Sequence, residues 1–323
     1  MTTPDADDAF LDSAREAFRR EPGAAALDAL GVWELLDALG DPEARAATCA
    51  VFRAHGRELA GSAALGALMA RPYLAGEGID PRSVALALSR RSVRRGDVWL
   101  LIGAPRVEHV LFDQPGLGAG LVSLADVELQ PVTVPGRMIL HELRFDRESL
   151  HVTTPEARAK TARLRSLYLG RVAAAFEILG AAEGALDMAV AHAARREQFG
   201  QPIGKFQAVR HLLAWARTDC GAVLELSRQA ALLDTAAPPR LDEIAKALAG
   251  RNGRRVCERA LQVLGGIGFT AEQGHHHFHS RVLALDAVLG SSAELVRGLG
   301  AWLRESRTDP ELPRALLRRG ARA

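Results

Sequence analysis

Aromatic residues and cysteines are scarce in this chain of 323 residues. Phe, Trp and Tyr together make up 5% of it, and the three cysteines, Cys49, Cys220 and Cys257, form no CxxC or CxxH pair. Such wide spacing argues against a disulfide framework and against a metal site, and it predicts free thiols in a reducing compartment. Because 48% of the residues are hydrophobic, with Ala and Leu prominent, we expect a large and mainly helical core.

The sequence also lacks an excess of charge of one sign. Its 41 Lys and Arg residues nearly balance 39 Asp and Glu residues, which argues against a nucleic-acid surface. No apolar run reaches the roughly 18 residues that span a bilayer. The acidic start of the chain has no apolar segment of the kind found in signal peptides. We therefore expect a cytoplasmic protein that has neither nucleic acid nor a membrane as a partner.

Residue periodicity divides the chain into three parts. Apolar residues recur at helical spacing first, short β-like runs separated by turn residues follow, and long amphipathic segments fill the rest. The predicted fold is mainly α with a small β domain. It comprises an N-terminal helical domain at 1–80, a reduced β-barrel or sheet domain at 81–150, and a C-terminal four-helix bundle at 151–323.

Capping signals predict several helix starts. Asp41 precedes Pro42, and Thr154 also precedes a proline, which predicts a helix after each. Ser291 and Glu294 have the spacing of a capping box. The expected later helices are 241–263, 274–289 and 292–305, and the expected strands are 84–88, 98–102, 107–112, 121–129 and 138–145, with a hairpin turn at 116–120.

Two motifs resemble the acyl-CoA dehydrogenase family. Residues 194–207 read ARREQFGQPIGKFQ, which is similar to the family pattern of an Arg, two residues, Phe-Gly, and then Gly and Phe-Gln. Residues 260–270 read ALQVLGGIGFT, which is similar to a second family pattern that contains Gln, Gly-Gly and Thr. The resemblance is specific over about residues 150–303. The chain resembles in particular the short, base-lacking subunits of heteromeric α2β2 dehydrogenases of bacterial steroid side-chain degradation, and the resemblance implies an acyl-CoA dehydrogenase-like fold.

This resemblance implies an FAD-dependent α,β-desaturation of an acyl-CoA thioester. In the family, both motifs contact the flavin dinucleotide of a neighbouring subunit, and the bundle assembles the subunits. An Arg offers forked donors to a pyrophosphate, and glycines allow a close approach of the backbone. The positions that match the family's cofactor contacts are Arg196, Gln198, Phe199, Ile203, Gln207, Gln262, Gly265 and Gly266.

The resemblance also locates two positions for the catalytic base, and both are glycine. The family's Glu lies either before the last long helix, which corresponds to Gly290, or just before an Arg of the first bundle helix, which corresponds to Gly170. Glycine has no group that accepts a proton, so the chain is expected to lack a base of its own. Glu177 lies two turns beyond Gly170, roughly 10 Å along the helix axis, which is too far to replace it without remodelling.

Two other features carry less information. The family's polar flavin motifs in the β domain are missing, since residues 99–103 read WLLIG instead of a Trp-Ile-Thr stretch. His275, His276, His277 and His279 suggest a metal, but consecutive imidazoles on a helix point to different sides. We therefore predict histidines that are solvated or hydrogen-bonded, and no metal.

Three functions remain open at this point. The first is a base-lacking subunit that contributes half of a shared FAD site to a catalytic partner in a heterotetramer. The second is a homomeric acyl-CoA dehydrogenase with a displaced base, and the third is a flavin-free interaction or regulatory protein on the same fold. The sequence identifies neither the acyl group nor the contacts of CoA.

Overall fold

A computed structural model describes residues 6–21, 23–92, 96–103, 107–146, 150–232 and 240–306. The predicted connector at Pro238-Pro239 and the Arg-rich C-terminal tail lie outside these residues. In the part described, helices dominate both ends of the chain and two small sheets lie between them, as the predicted fold class requires. None of the described helices is long and apolar enough to cross a membrane.

Five helices form the N-terminal part. Asp41 caps the fourth of them, because its side chain accepts a hydrogen bond from the Glu43 amide at 3.1 Å, and Pro42 is its first residue. The segment before Gly40 contains two short helices, because Gly31 adopts a left-handed conformation (φ +63°) between them. The helices are α1 (Ala6–Arg20), α2 (Ala24–Ala29), α3 (Val32–Asp37), α4 (Pro42–Arg57) and α5 (Ala64–Leu74).

The middle of the chain forms two four-stranded sheets. The first has the strand order β1-β4-β5-β8, and the second has the order β2-β3-β7-β6. All neighbours are antiparallel except β1 and β4. The strands are β1 (Val84–Leu86), β2 (Leu88–Ser92), β3 (Gly96–Ile102), β4 (His109–Gln114), β5 (Gly118–Ser123), β6 (Val127–Thr133), β7 (Ile139–Phe145) and β8 (His151–Pro155).

The predicted helix start at Thr154 is wrong. Thr154 belongs to β8, where it pairs with Ala119 of β5, and its hydroxyl donates to the Tyr73 carbonyl at 3.3 Å instead of capping a helix. The long helix begins at Glu156 after Pro155, without a side-chain cap. The sheet therefore continues five residues beyond the predicted boundary at residue 150. The predicted strand at 121–129 is two strands separated by a turn of 3₁₀-helix. The hairpin predicted at 116–120 is present, but its turn is at 115–117 and residues 118–120 belong to β5.

Five helices form the C-terminal part: α6 (Glu156–Arg195), α7 (Gln207–Leu232), α8 (Leu241–Leu264), α9 (His275–Ala287) and α10 (Ser292–Ser306). A two-residue hairpin, β9 (Glu197–Gln198) and β10 (Gln201–Pro202), follows α6. The capping box before α10 is confirmed, since the Ser291 amide donates to the Glu294 carboxylate at 2.9 Å and the Glu294 amide donates to the Ser291 hydroxyl at 3.3 Å.

Helices α6 and α8 run in the same direction. Arg171 donates to Asp242 at 3.0 Å near the start of α8, and further along both helices Ile178 lies against Gly253. The C-terminal ends of α6 and α8 therefore face the same end of the bundle. Helix α7 runs the opposite way, because the Arg259 guanidinium of α8 lies over the Trp215 ring in the first half of α7.

Candidate functional site

The first motif forms an exposed turn after α6. The Arg196 amide donates to His192 and the Arg196 carbonyl accepts from Ile203, both at 2.8 Å, so the backbone of the turn is fixed at its base. Phe199, at the tip, has a left-handed backbone (φ +53°) and is 93% exposed, with its ring edge-on to Phe206 at 6.1 Å. A large apolar side chain held in such a conformation and so exposed is typical of a contact surface.

Of the remaining residues of this motif, some are exposed and available to a ligand, and one packs against the core. Gln198 and Gln207 are exposed, and the Gln198 amide nitrogen donates only to the carbonyl of Glu197 at 2.6 Å. Ile203 is half-buried and packs against the hydrophobic core. Arg196 makes no side-chain hydrogen bond or ion pair with any described residue, so its guanidinium can pair with an external anion.

The second motif ends α8 with a turn of 3₁₀-helix. Gln262, Gly265 and Gly266 are exposed, and a Cβ atom added at either glycine would meet no other atom within 4 Å. Gly265 has φ +63°, which glycine adopts without a steric penalty. Its amide already donates to the Leu261 carbonyl, so that amide is not available to a ligand.

Both motifs lie at one end of the bundle. The first follows the C-terminal end of α6 and precedes the start of α7, and the second is at the C-terminal end of α8, which faces the same way. No hydrogen bond or ion pair joins the two motifs among the residues that the structure describes. The structure therefore brings the predicted contact residues to one end of the bundle, as two separate groups, which are together called the motif surface below.

This surface carries a positive charge. Arg195, Arg196, Lys205 and Arg210 are all exposed there, and Glu197 is the acid of the same segment. Partial burial lowers the pKa of His192, and the positive charges of Arg196 and Arg195 lower it further. A neutral His192 below a cluster of cations fits a surface that attracts an anionic ligand.

The first candidate base position, Gly170, lies against hydrophobic side chains. A Cβ atom built on Gly170 would come within 2.6 Å of the Met69 sulfur and within 2.9 Å of a Leu289 methyl group. The space into which a side chain at this position would extend is therefore filled. Sequence patterns gave no sign of this role for Met69 and Leu289, because both are ordinary apolar residues far from Gly170 in the sequence.

The second candidate base position, Gly290, belongs to a turn that two cations hold. Gly290 has φ +97° and follows Leu289, which also has a left-handed backbone (φ +62°). Arg171 donates to the Leu289 carbonyl at 3.1 Å, and the buried Lys246 lies 3.4 Å from the Gly290 carbonyl. The two candidate positions therefore meet through Leu289, which touches Gly170 and precedes Gly290.

Neither buried acid of α6 is free to act as a base. Glu177 contacts Arg281 at 2.8 Å and His55 at 3.2 Å. Burial alone would raise the pKa of Glu177, but His55 and Arg281 together hold it below its ordinary value. Glu183 accepts two hydrogen bonds from Arg53, at 2.6 and 2.8 Å. Both carboxylates are thus fixed in ion pairs that join α6 to neighbouring helices.

The β part has a packed aromatic core at the position of the missing Trp-Ile-Thr motif. Trp99, at the position of the missing Trp-Ile-Thr motif, is half-buried and stands edge-on to Phe112 at 5.1 Å. Phe112 in turn lies 4.0 Å from Phe145, centroid to centroid. Trp99 therefore packs against the core of the β part and stabilises the small sheets.

The first residue of the histidine cluster contacts the backbone of α8. His275 is buried, and its Nε2 atom lies 2.9 Å from the Cys257 carbonyl, while His276 is exposed. Burial lowers the pKa values of His275, His277 and His279. Among the described residues, no group of three or more His, Cys, Asp or Glu side chains could hold a metal ion.

Comparison with known proteins agrees with the motifs. Residues 161–303 match the family model "Acyl-CoA dehydrogenase, C-terminal domain". The chain is 31% identical to cyclohex-1-ene-1-carbonyl-CoA dehydrogenase of Geobacter metallireducens, over 58% of this chain and 57% of the relative. It is 32% identical to 3-sulfinopropanoyl-CoA desulfinase of Paraburkholderia xenovorans, over 65% and 63%. The chain thus covers less than two thirds of the length of these relatives.

Solved structures extend the similarity of fold to nearly the whole chain. The Tcur3481-Tcur3483 steroid ACAD has a TM-score of 0.75 at 23% identity, over 94% of this chain and 99% of that one. The ChsE4-ChsE5 complex of Mycobacterium tuberculosis has a TM-score of 0.70 at 21% identity, over 97% and 99%. Residues 161–303 thus match the C-terminal domain of the acyl-CoA dehydrogenase family, and the chain has the fold of acyl-CoA dehydrogenases.

Proposed function

We propose that this chain is a non-catalytic subunit of an FAD-dependent acyl-CoA dehydrogenase. It supplies the motif surface to a flavin dinucleotide held by a partner subunit, and the partner supplies the base and the site of the thioester. Bound FAD would supply the hydride acceptor for the desaturation. The chain's own contribution is to bind and orient the dinucleotide, through Arg196, Gln198, Phe199, Gln262 and Gly266.

The observation that carries this proposal is the separation of the motif surface from the two base positions. Arg196 follows Gly170 by 26 residues of one helix, which is about 39 Å at a rise of about 1.5 Å per residue. A base must come within about 3 Å of the proton that it removes. The motif surface therefore serves a different reaction centre from the one that Gly170 and Gly290 would face.

The motif surface suits FAD, whereas the region around Gly170 does not. The motif surface has an unpaired guanidinium, further cations and exposed polar side chains, which suit the phosphates and polar edges of a dinucleotide. The space beside Gly170 is filled by Met69 and Leu289, and Trp99 is committed to the core of the β part. These features favour FAD on the outer surface of the bundle.

The same contacts argue against a homomeric enzyme with a displaced base. Glu177 and Glu183 lie on α6 but are buried and paired with Arg281 and Arg53. Freeing either carboxylate would leave a buried guanidinium without its partner, which is costly. A heteromeric assembly needs no such rearrangement, and the ChsE4-ChsE5 structure is a complex of two differently named proteins.

The flavin content after purification tests the proposal. We expect the chain expressed alone to retain little FAD. Co-expression with a full-length homologue from the same genome, one with a Glu at the base position, should give a yellow complex with about one FAD per heterodimer. A stable complex that never contains flavin would support an interaction protein instead. Stoichiometric flavin and thioester-dependent bleaching in the chain alone would support the homomeric enzyme.

A matched pair of arginine variants tests the assigned surface. In the complex, Arg196→Gln should weaken FAD binding about tenfold, the effect of losing one charge-assisted hydrogen bond. Arg297→Gln is the control, because Arg297 is an exposed arginine of α10 that contacts the carbonyl of its own helix at Ala293. Equal FAD affinity in both variants, measured by fluorescence titration, would remove Arg196 from the site.

A further inference from the structure

Arginines line the outer face of the second half of α8. Residues 251–262 contain four arginines and a single acid, Glu258. Three of the four arginines are exposed and the fourth is half-buried, because the core residues of this segment occupy the opposite face of the helix. The arginine stripe, as this group is called below, consists of Arg251, Arg254, Arg255 and Arg259.

Two arginines of the stripe are neutralised within the chain. Arg254 lies 3.6 Å from the Glu258 carboxylate, and Arg259 pairs with Asp219 of α7. The Arg259 guanidinium also lies over the ring of Trp215, which is 64% exposed. Arginine and tryptophan are the residues most enriched among those that carry the binding energy of protein interfaces.

The other two arginines have no acidic partner among the described residues. Arg251 donates only to the side-chain oxygen of Asn252, at 3.4 Å, and Arg255 makes no hydrogen bond or ion pair in the part of the chain described. Because Arg251 and Arg255 are four residues apart on a helix, they lie on the same face. This face therefore carries two positive charges that no described acid balances, and it is complementary to an acidic surface.

The stripe continues the motif surface along α8. Gln262 of the second motif follows Arg255 by seven residues and Arg251 by eleven, which are about two and three turns, so all three lie on one face. Eleven residues span only about 16 Å of helix. A protein interface of standard size, about 800 Å² on each partner, is about 30 Å across. A subunit that holds FAD against Gln262 therefore also covers Arg255 and Arg251.

We propose that the arginine stripe selects the partner subunit by charge, because it docks an acidic face of the subunit that holds FAD and repels a second copy of this chain. The assignment deepens the proposed function and rests on it. In an isologous dimer the same surface meets itself, so the cationic stripe of one copy would lie against that of the other. An acidic partner replaces this repulsion by ion pairs.

A protein surface suits the stripe better than a nucleic acid does. Glu258 and Asp219 lie among the arginines, where they would repel phosphates but can pair with basic residues of a protein. Two exposed apolar side chains, Trp215 of α7 and Ile244 of α8, belong to the same two helices. Exposed apolar and aromatic side chains beside arginine are typical of protein interfaces.

Charge reversal in the heteromeric complex tests the proposal, with the co-expressed homologue that has a Glu at the base position as the probe. Arg251→Gln with Arg255→Gln should weaken association, and Arg251→Glu with Arg255→Glu should weaken it further, at least about tenfold, because attraction becomes repulsion. Raising NaCl from about 50 to about 500 mM should weaken the wild-type complex more than the reversed one, since salt screens the ion pairs. Sedimentation velocity measures the dissociation constants.

The matched control reverses two exposed arginines of α10. Arg297→Glu with Arg304→Glu makes the same change in net charge away from the stripe, and it should leave the dissociation constant unchanged. Circular dichroism checks that every variant folds.

The outcomes separate this proposal from the proposed function. A complex that contains FAD and keeps its affinity after reversal of Arg251 and Arg255 would overturn the role of the stripe and leave the proposed function intact. Absence of any complex would overturn both. A homomer of the chain alone that the same reversal dissociates would show that the stripe docks a second copy. Short duplex DNA that binds the chain and is released by the reversal, with the complex unaffected, would assign the stripe to a nucleic acid.

Discussion

At the scale of single residues, Lys246 is unusual because it is a lysine whose side chain is fully buried. Its side chain is fully buried in α8, with the amine 3.2 Å from the Asp286 carbonyl, 3.4 Å from the Gly290 carbonyl and 3.9 Å from the Asp286 carboxylate. Burial lowers the pKa of Lys246 to about 8, although Asp286 opposes the shift. Lys246 thus fixes the turn that carries Leu289 and Gly290, at a cost in solvation.

Lys246 should make the stability of the protein depend on pH. Between the folded pKa of about 8 and the ordinary value of 10.5, the unfolded chain holds a proton that the folded chain has lost, so the free energy of unfolding rises with pH. Urea unfolding should show wild type gaining about 2 kcal/mol relative to Lys246→Met between pH 7 and 9.5. The exposed Lys205→Met should follow wild type. Parallel curves for Lys246→Met and wild type would refute the assignment.

At the scale of elements, two glycines bring α4 and α6 into backbone contact. A Cβ atom on Gly180 would lie 1.9 Å from the Arg53 carbonyl oxygen, and one on Gly56 would lie 1.9 Å from the Glu177 carbonyl oxygen. Only glycine permits this approach. The crossing also brings Arg53 to its partner Glu183. The close crossing of α4 and α6 therefore places the Arg53 guanidinium beside the buried carboxylate of Glu183.

An alanine at this crossing should separate the two helices. Gly180→Ala gains helix propensity, about 1 kcal/mol, but it forces the backbones apart, and we expect a net loss of at least about 2 kcal/mol in the free energy of unfolding. Gly221→Ala in α7 is the matched control, since its Cβ would meet no atom within 4 Å, and it should stabilise the protein slightly. Chemical denaturation compares the two. Equal effects would mean that the crossing is not tightly packed.

Elements with strong local signals could be predicted from the sequence, and those defined by distant partners could not. The bounds of α8, α9 and α10 lie within two residues of the prediction, because caps and apolar periodicity are local. Strands β2 and β8 were missed: β2 is polar, and β8 ends in Thr-Pro, which also signals a helix start. The same distinction between local signals and distant partners holds for the candidate site. The motif turns are local features, whereas the filling of the space beside Gly170 by Met69 depends on how α5 meets α6.

At the scale of the whole molecule, one arginine joins all three parts. Arg281 of α9 is fully buried and donates to Glu177 of α6 at 2.8 Å, to the Ala60 carbonyl after α4 at 2.7 Å, and to the Gly136 carbonyl before β7 at 3.0 Å. Burial lowers the pKa of Arg281, and Glu177 opposes this. Gly136 has φ +92°, and a Cβ atom there would meet the Arg281 backbone at 2.5 Å.

Loss of Arg281 should lower the free energy of unfolding of the whole protein. Arg281→Met would leave Glu177 buried with only His55 beside it and would remove the Arg281 donor from three carbonyls, those of Ala60, Gly136 and Arg137. We therefore expect a loss of about 3–5 kcal/mol in urea denaturation. Adding Glu177→Gln should recover part of the loss, because the uncompensated charge is then removed. Arg259→Met, which breaks a more exposed ion pair with Asp219 inside the bundle, should cost about 1 kcal/mol or less. If the Arg281 variant lost no more free energy of unfolding than the Arg259 variant, Arg281 would not be what couples the helices to the sheets. If Glu177→Gln recovered nothing, the loss would not come from the uncompensated charge of Glu177.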